Sequence, residues 1–390
     1  MNEFARPPIV PPPPVPQPPA PVPPPLPAKL DFTGDRKGFL HLIARGAGLE
    51  LVTLGFYRFW LVTDIRRHLW SNTVIDGDAA EYTGRARELL IGFLIALAIL
   101  VPVYLAYFLI SVEAEHLQAL ASIPLVAAFY VFGQFAIYRA RRYRLTRTVW
   151  RGVRFWMDGS GWLYAARASL WAVLAIVTLG LALPWRAAAL ERYKLRHSWY
   201  GDLQGRFEGS GWELFKRIWW LWLVSPLAIL IIPIPFFYAY YKAVEWRWWL
   251  SGIRFGAVTV QSNLGPNALQ EFYWKVIGCS LLLSMAFGFA VGLVGGIAIA
   301  ITKVLSRYVE AADVLTNSIP IMIVTVSGYL GFALALSVVS RLYLSRDLWA
   351  RVLSTTVVTN LEAAANVAAR GDLATAVGEG IADGLDVAGF

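Results

Sequence analysis

Glu50 is an acid where an apolar run should hold none. It stands near the middle of residues 39–62, five residues after Arg45 and eight before Arg58. An ionisable group at membrane depth is by default a functional residue. Two readings are open: an internal Arg–Glu pair that holds the segment, or a proton- or substrate-linked site. A second set of residues repeats. An arginine precedes a tryptophan by three at Arg67 and Trp70, Arg147 and Trp150, Arg196 and Trp199, and Arg346 and Trp349, with RWWL at Arg247 a looser copy. On a helix, residues three apart share a face. Each pair could therefore hold a lipid phosphate, with the indole beside it at headgroup level. It could equally anchor a helix end, the arginine snorkelling and the tryptophan marking the interface. Recurrence along the chain fits a shared structural job better than one active site.

Little else in the chain suggests chemistry. HExxH, GxSxG, Walker and dinucleotide-binding patterns are missing, as is a close carboxylate pair on one apolar face. His41, His68, His116 and His197 are scattered without ligand spacing, and Cys279 is the single cysteine. The expectation is a protein without catalytic residues, metal or cofactor. Gly292, Gly295 and Gly296 suit helix packing rather than a nucleotide loop.

Of the 390 residues, 57% are hydrophobic and 16% charged, and mean hydropathy is +0.53. Soluble domains carry about a quarter charged residues, so this composition belongs to an integral membrane protein. Residues 89–112, 117–138, 276–301 and 319–344 are each long enough to cross a bilayer, which takes about 20 residues. The net charge of +9 concentrates in connections between apolar runs, which points to membrane lipids and the positive-inside effect rather than nucleic acid. Residues 1–28 are mostly proline with small apolar residues, a disordered cytoplasmic arm in the polyproline style, either a spacer or a ligand for a partner protein. Nothing in it resembles a signal peptide. Residues 363–390 form a small-residue-rich acidic tail.

Between arm and tail, residues 29–362 repeat. VTLG at 52–55 returns at 177–180, Trp60 matches Trp185, and Tyr82-Thr83-Gly84 matches Phe207-Glu208-Gly209. Five units follow: 32–81, 82–154, 155–206, 207–257 and 258–362. The second and fifth hold two full spans each, and the others one apolar run broken at VTLG or IPIP. Connections 64–88, 139–162 and 186–213 are basic and 113–116 (EAEH) is not, which places the former and both termini in the cytoplasm. Re-entrant hairpins reconcile this with the three broken runs. The expected fold is therefore an all-α integral membrane helix bundle with internal repeats, of about four full spans plus three re-entrant or broken helical hairpins; the alternative is seven spans. Short strands at Thr73–Ile75, Gly152–Trp156, Gly252–Val260 and Ser354–Thr359, with Asp76-Gly77 and Asp158-Gly159 as turn signals, can pair into a small cytoplasmic sheet.

The FTG opening at Phe32, the VTLG-aromatic-Trp segment and the RHLWSNT close at Arg67 together resemble the YjgN-like family of bacterial inner-membrane proteins, over roughly residues 30–390. The resemblance implies a multi-pass inner-membrane protein of unassigned biochemical role and supplies no catalytic residue. Two functions suit such a chain: a non-enzymatic protein that binds or passes a small solute or lipid, or a membrane scaffold that docks partners at its cytoplasmic face. Neither reading specifies an oligomeric state.

Overall fold

The first and last strands of the chain pair with each other. In the computed structural model, which describes residues 27–113, 118–305 and 319–371, β1 (Ala28–Phe32) lies antiparallel to β11 (Thr356–Thr359), with Ala28 opposite Val358. Between them run β2 (Thr73–Ile75), β3 (Asp78–Ala79), β4 (Glu81–Tyr82), β5 (Thr148–Trp150), β6 (Val153–Met157), β7 (Ser198–Tyr200), β8 (Leu203–Phe207), β9 (Ile253–Phe255) and β10 (Val258–Ser262). All eleven join one antiparallel sheet, and apart from the β1–β11 pair its neighbours are neighbours in the chain. Its two edges, β3 and β4, are separated by Ala80 alone, whose N–H donates to Thr73 O (3.0 Å). The sheet is a nearly closed ring.

This corrects the expected all-α bundle with a small sheet. The sheet is the organising element, built from eleven strands rather than a few, and the helices are attached to it. The sequence hides it because strands of two to five residues carry too few positions to show a period of two. The proline-rich arm also ends earlier than expected, since Ala28 is already paired. Most of the arm, residues 114–117 in the EAEH connection, residues 306–318 and the tail beyond 371 lie outside the described residues.

Two-residue turns join β2 to β3, β5 to β6, β7 to β8 and β9 to β10. At Asp76-Gly77 and Arg151-Gly152 both residues have positive φ, the type I′ geometry that matches strand twist. Asp158-Gly159 instead leads from β6 into a helix. Because the strands alternate in direction, these turns share one rim of the ring, and the α-helices among the described residues leave from the other. Five helix pairs stand on that rim: α1 (Arg36–Val52) with α2 (Arg58–Ser71), α3 (Ala86–Glu113) with α4 (Gln118–Thr146), α5 (Gly161–Val177) with α6 (Leu183–Arg196), α7 (Gly211–Val224) with α8 (Ile234–Gly252), and α9 (Gln270–Leu305) with α10 (Ile319–Ser340). After α10 comes a π-helical stretch, Arg341–Asp347, and then α11 (Leu348–Ser354).

Local chemistry sets the joints. Asp35, Ser160 and Ser210 cap the helices that open the short pairs, their side chains accepting from Gly38, Leu163 and Trp212 N–H. At the far joints Thr73, Thr148, Ser198 and Thr356 each donate to the carbonyl four residues back, at 2.7–2.9 Å, as the helix gives way to strand. The VTLG turns are built alike. Thr53 Oγ1 accepts from Tyr57 N–H (3.0 Å) and Thr178 Oγ1 from Ala182 N–H (3.1 Å). Gly55 and Gly180 follow at φ +90° and +89°, which only glycine adopts without strain.

Among the described residues, four helical segments are long and apolar enough to cross a membrane: Ala86–Leu109, Ser122–Thr146, Gln270–Ile297 and Val326–Ser354. This is a membrane protein. The three short pairs are not among them; each leaves one strand and returns to that strand's partner, so the chain path does not follow seven spans. Their tips are apolar and open: Val52, Leu54, Val177, Leu179, Ile229 and Ile232 are each at least 74% exposed, a surface suited to lipid. Cysteines placed singly at the exposed Asp31 and Ser71, in a Cys279→Ala background, are expected to react with an impermeant thiol reagent from the same side of the membrane. Reaction from opposite sides would refute the hairpin.

The ring is filled. Trp150, Tyr200, Val258 and Val358 point inward with Leu30, Phe155 and Phe255, and the chain after β11 completes the cluster with Ala364 and Val367. Val367 and the carbonyl of Ala368 fill the place a side chain at Gly201 would need. The segment following β11 thus crosses the turn rim.

Candidate functional site

The repeated arginines and tryptophans work mainly between units. Arg67 Nη2 donates to Gly84 O (2.9 Å) and Arg346 Nη2 to Gly34 O (2.6 Å). Each tethers one helix pair to the glycine that opens the next, and Arg192 does the same to Gly209 O at 3.4 Å. Trp70 donates to Thr148 Oγ1 (3.0 Å), Trp349 to Thr73 Oγ1 (3.1 Å), and the two indoles stack with centroids 5.8 Å apart. These contacts bind the last unit to the first and the first to the second.

The other members sit differently. Arg147 is buried and pairs with Glu88 (2.9 Å). Trp150 and Trp199 lie in strands, the first inside the ring and the second stacked on Trp156 at 5.3 Å. Helical spacing therefore relates Arg67 to Trp70 but not Arg147 to Trp150 or Arg196 to Trp199. Arg196 is exposed and lines a basic cleft of about 630 Å³ with Arg192 and Arg206. Arg247 is exposed on α8.

Arg45, Glu50 and Arg58 are not brought together. Residues five apart face away from each other on a helix, and Arg58 lies beyond the turn, against the Phe59 ring (5.8 Å). Arg45 is exposed, whereas Glu50 is 5% exposed and pairs with Arg341 Nη2 (3.3 Å) from the π-helical stretch. Tertiary packing supplied a partner that chain distance could not suggest.

A further ionic cluster gathers charges from three helices. Arg141 and Arg144 on α4, Glu191 and Lys194 on α6, and Lys242 and Glu245 on α8 line a chamber of about 270 Å³, floored by Trp248 and Trp249. They sit one to three turns from the sheet-side ends of three returning helices. Glu191 accepts from Arg141 Nη1 (3.1 Å), Trp249 Nε1 (3.0 Å) and the Lys194 ammonium. Glu245 accepts from Lys242 Nζ (2.7 Å) and Tyr241 Oη (3.0 Å). Burial alone would push the Glu191 carboxyl up, but Lys194 and Arg141 outweigh it and hold the group at about 2. Burial lowers Lys194, while Glu245 holds Lys242 above the usual lysine value against its own burial. Four cations and two carboxylates line the space together. The sequence shows only two acid–lysine pairs at i, i+3 within aromatic-rich helices; which helices face one another is a tertiary fact.

A family model described as a bacterial protein of unknown function (DUF898) matches residues 27–242, more than half of the chain. The chain belongs to this family. It is the YjgN-like family that the opening, turn and closing motifs resemble. The matched stretch runs from β1 to Lys242, so five of the six charged chamber residues fall within it and Glu245 lies just beyond. No curated protein and no solved structure matches the chain.

Proposed function

We propose that this family member is an integral protein of the bacterial inner membrane that binds an anionic ligand in the chamber between α4, α6 and α8, and that it acts as a binding protein rather than an enzyme. The carrying observation is that four cations and two carboxylates from three helices line one pocket at the sheet-side ends of the helices. Arg141 and Lys194 pair with Glu191 and Lys242 with Glu245, so cationic donors from three helices are held around one space. An anion with several acceptor oxygens, such as a phosphate, adds charge-assisted hydrogen bonds to such donors. Arg151, Arg154, Arg206 and Arg254 on the ring support a cytoplasmic sheet by the positive-inside effect.

Isothermal titration of the detergent-solubilised protein with glycerol phosphate tests the reading. Saturable binding is expected, reduced at least about tenfold, a cost of about 1.4 kcal/mol, in the Arg144→Gln, Lys242→Gln double variant. The exposed Arg247→Gln should bind as the parent does. No saturable binding, or equal binding by the double variant, would overturn it.

A further inference from the structure

The three short helix pairs carry a charge pattern of their own, on surfaces away from the chamber. On α5, Arg167, Leu170, Leu174 and Val177 are spaced three or four apart and share an exposed face. On α7, Trp212, Lys216, Trp219 and Leu223 do the same, with Arg217 exposed beside them. Arg45 heads a shorter exposed stripe of Gly48 and Val52 on α1. Among the described residues none of these cations is in an ion pair; Arg167 and Lys216 lie over the Tyr193 and Trp212 rings, at 4.8 and 5.4 Å. Beyond them charge stops. Residues 168–185 and 218–241, which turn through the tips, hold no Asp, Glu, Lys, Arg or His, and residues 46–57 hold only Glu50, buried and paired with Arg341. Each cation stands five to nine residues from the sheet-side end of its helix, about 8–14 Å along it. On α9 Lys275, five residues in, marks the same level, and the uncharged stretch of that candidate span starts after it.

Depth follows from length. A bilayer core is about 30 Å thick, so one leaflet offers about 15 Å. From Arg167 to the end of α5 at Val177 is ten residues, about 15 Å, and from Arg217 to the end of α7 at Val224 is seven, about 10 Å. α3, with 28 residues, is about 42 Å long. These helices leave the same rim, so the short pairs reach the middle of the layer that the four candidate spans are long enough to cross. A protein partner would have to match a cation-headed apolar stripe three times around the rim, whereas lipid surrounds every pair alike. We infer that the short pairs enter only the sheet-side leaflet, and that Arg45, Arg167, and Lys216 with Arg217 each hold the phosphate of an anionic phospholipid of that leaflet, its acyl chains lying along the stripe towards the tip. Cations and indoles then sit at headgroup level, where anionic lipid and the interface favour them, and lipid of the opposite leaflet covers the tips at Val177 and Ile232.

Spin labels on Leu163→Cys, Leu170→Cys and Val177→Cys, made singly in the Cys279→Ala protein and held in nanodiscs of phosphatidylcholine and phosphatidylglycerol, report depth by their access to oxygen against a water-soluble nickel complex. Depth is expected to increase in that order, with the Val177→Cys label near the bilayer centre. A maximum at Leu170→Cys with Val177→Cys shallow again, or Val177→Cys in water, would overturn insertion into one leaflet. Native mass spectrometry then counts phosphatidylglycerol retained in preference to phosphatidylcholine, in the Arg144→Gln, Lys242→Gln background so that an anion in the chamber is not counted. Arg167→Glu and, separately, Lys216→Glu with Arg217→Glu are each expected to retain one phosphatidylglycerol fewer than that background, the affinity of the altered site falling at least about tenfold on charge reversal, while the Val177→Cys label keeps its depth. Equal retention by the background and both charge-reversed variants would overturn the phosphate assignment.

Discussion

Glu191→Ala is expected to destabilise the protein by about 3–5 kcal/mol, the usual cost of removing one partner from a buried ion pair. The carboxylate is shared by Arg141 at 3.1 Å, by the Lys194 ammonium and by the Trp249 indole, all within a chamber where the side chains of Glu191 and Lys194 are 15% and 13% exposed. Alanine leaves two cations and an indole N–H without their acceptor. Denaturant unfolding in detergent measures the loss; a change below about 1 kcal/mol, the size of an exposed pair, would mean that the chamber is wet. A pH series adds a second check. The carboxyl titrates at about 2 in the folded protein against an ordinary 4.5. Its contribution is therefore complete above about pH 4.5 and fades as pH falls towards 2. The alanine variant should lack that part of the acid-side slope.

Glu50→Ala carries the second large effect, an expected loss of about 3 kcal/mol. Glu50 is 5% exposed near the tip of the first hairpin, and its partner Arg341, 3.3 Å away, starts the π-helical stretch after α10. Without the carboxylate a guanidinium stays buried between α1 and that stretch. Arg341 Nη1 has no hydrogen-bond partner even in the parent, so the pair is only partly satisfied. Replacing both residues, Glu50→Ala with Arg341→Met, should recover most of the loss, because an apolar contact can replace a buried pair at little cost. A double variant as unstable as Glu50→Ala alone would show that the two residues are not coupled.

Glu50 also shows where sequence reading stops. An acid in an apolar run announces itself by composition, and its pairing with an arginine is a sound expectation because an uncompensated charge is expensive there. Which arginine is settled by the face that α1 turns towards the last helix, and nothing within five or eight residues of Glu50 encodes that. The Arg-x-x-Trp pattern is similar. It marks the ends of helices, yet the same letters fall inside α2 at Trp70 and in a strand at Trp150. Their contacts, Arg67 with Gly84 and Trp349 with Thr73, cross from one unit to the next.

What the sequence determined by itself is what depends on short stretches of chain. Apolar length and composition specify the four candidate spans. Thr53 and Thr178 with the glycines after them specify the hairpin turns, since the side-chain bonds and the positive φ are local. Asp76-Gly77 specifies a tight turn between strands, whereas Asp158-Gly159, the same pair of letters, leads into a helix. The tertiary structure decided the rest: that these pieces close into one ring, because β1 meets β11 only when the whole chain has gone round, and that α4, α6 and α8 bring their charges to a common space. Strand pairing and charge clustering depend on distances between residues far apart in the chain, and no local pattern carries those distances.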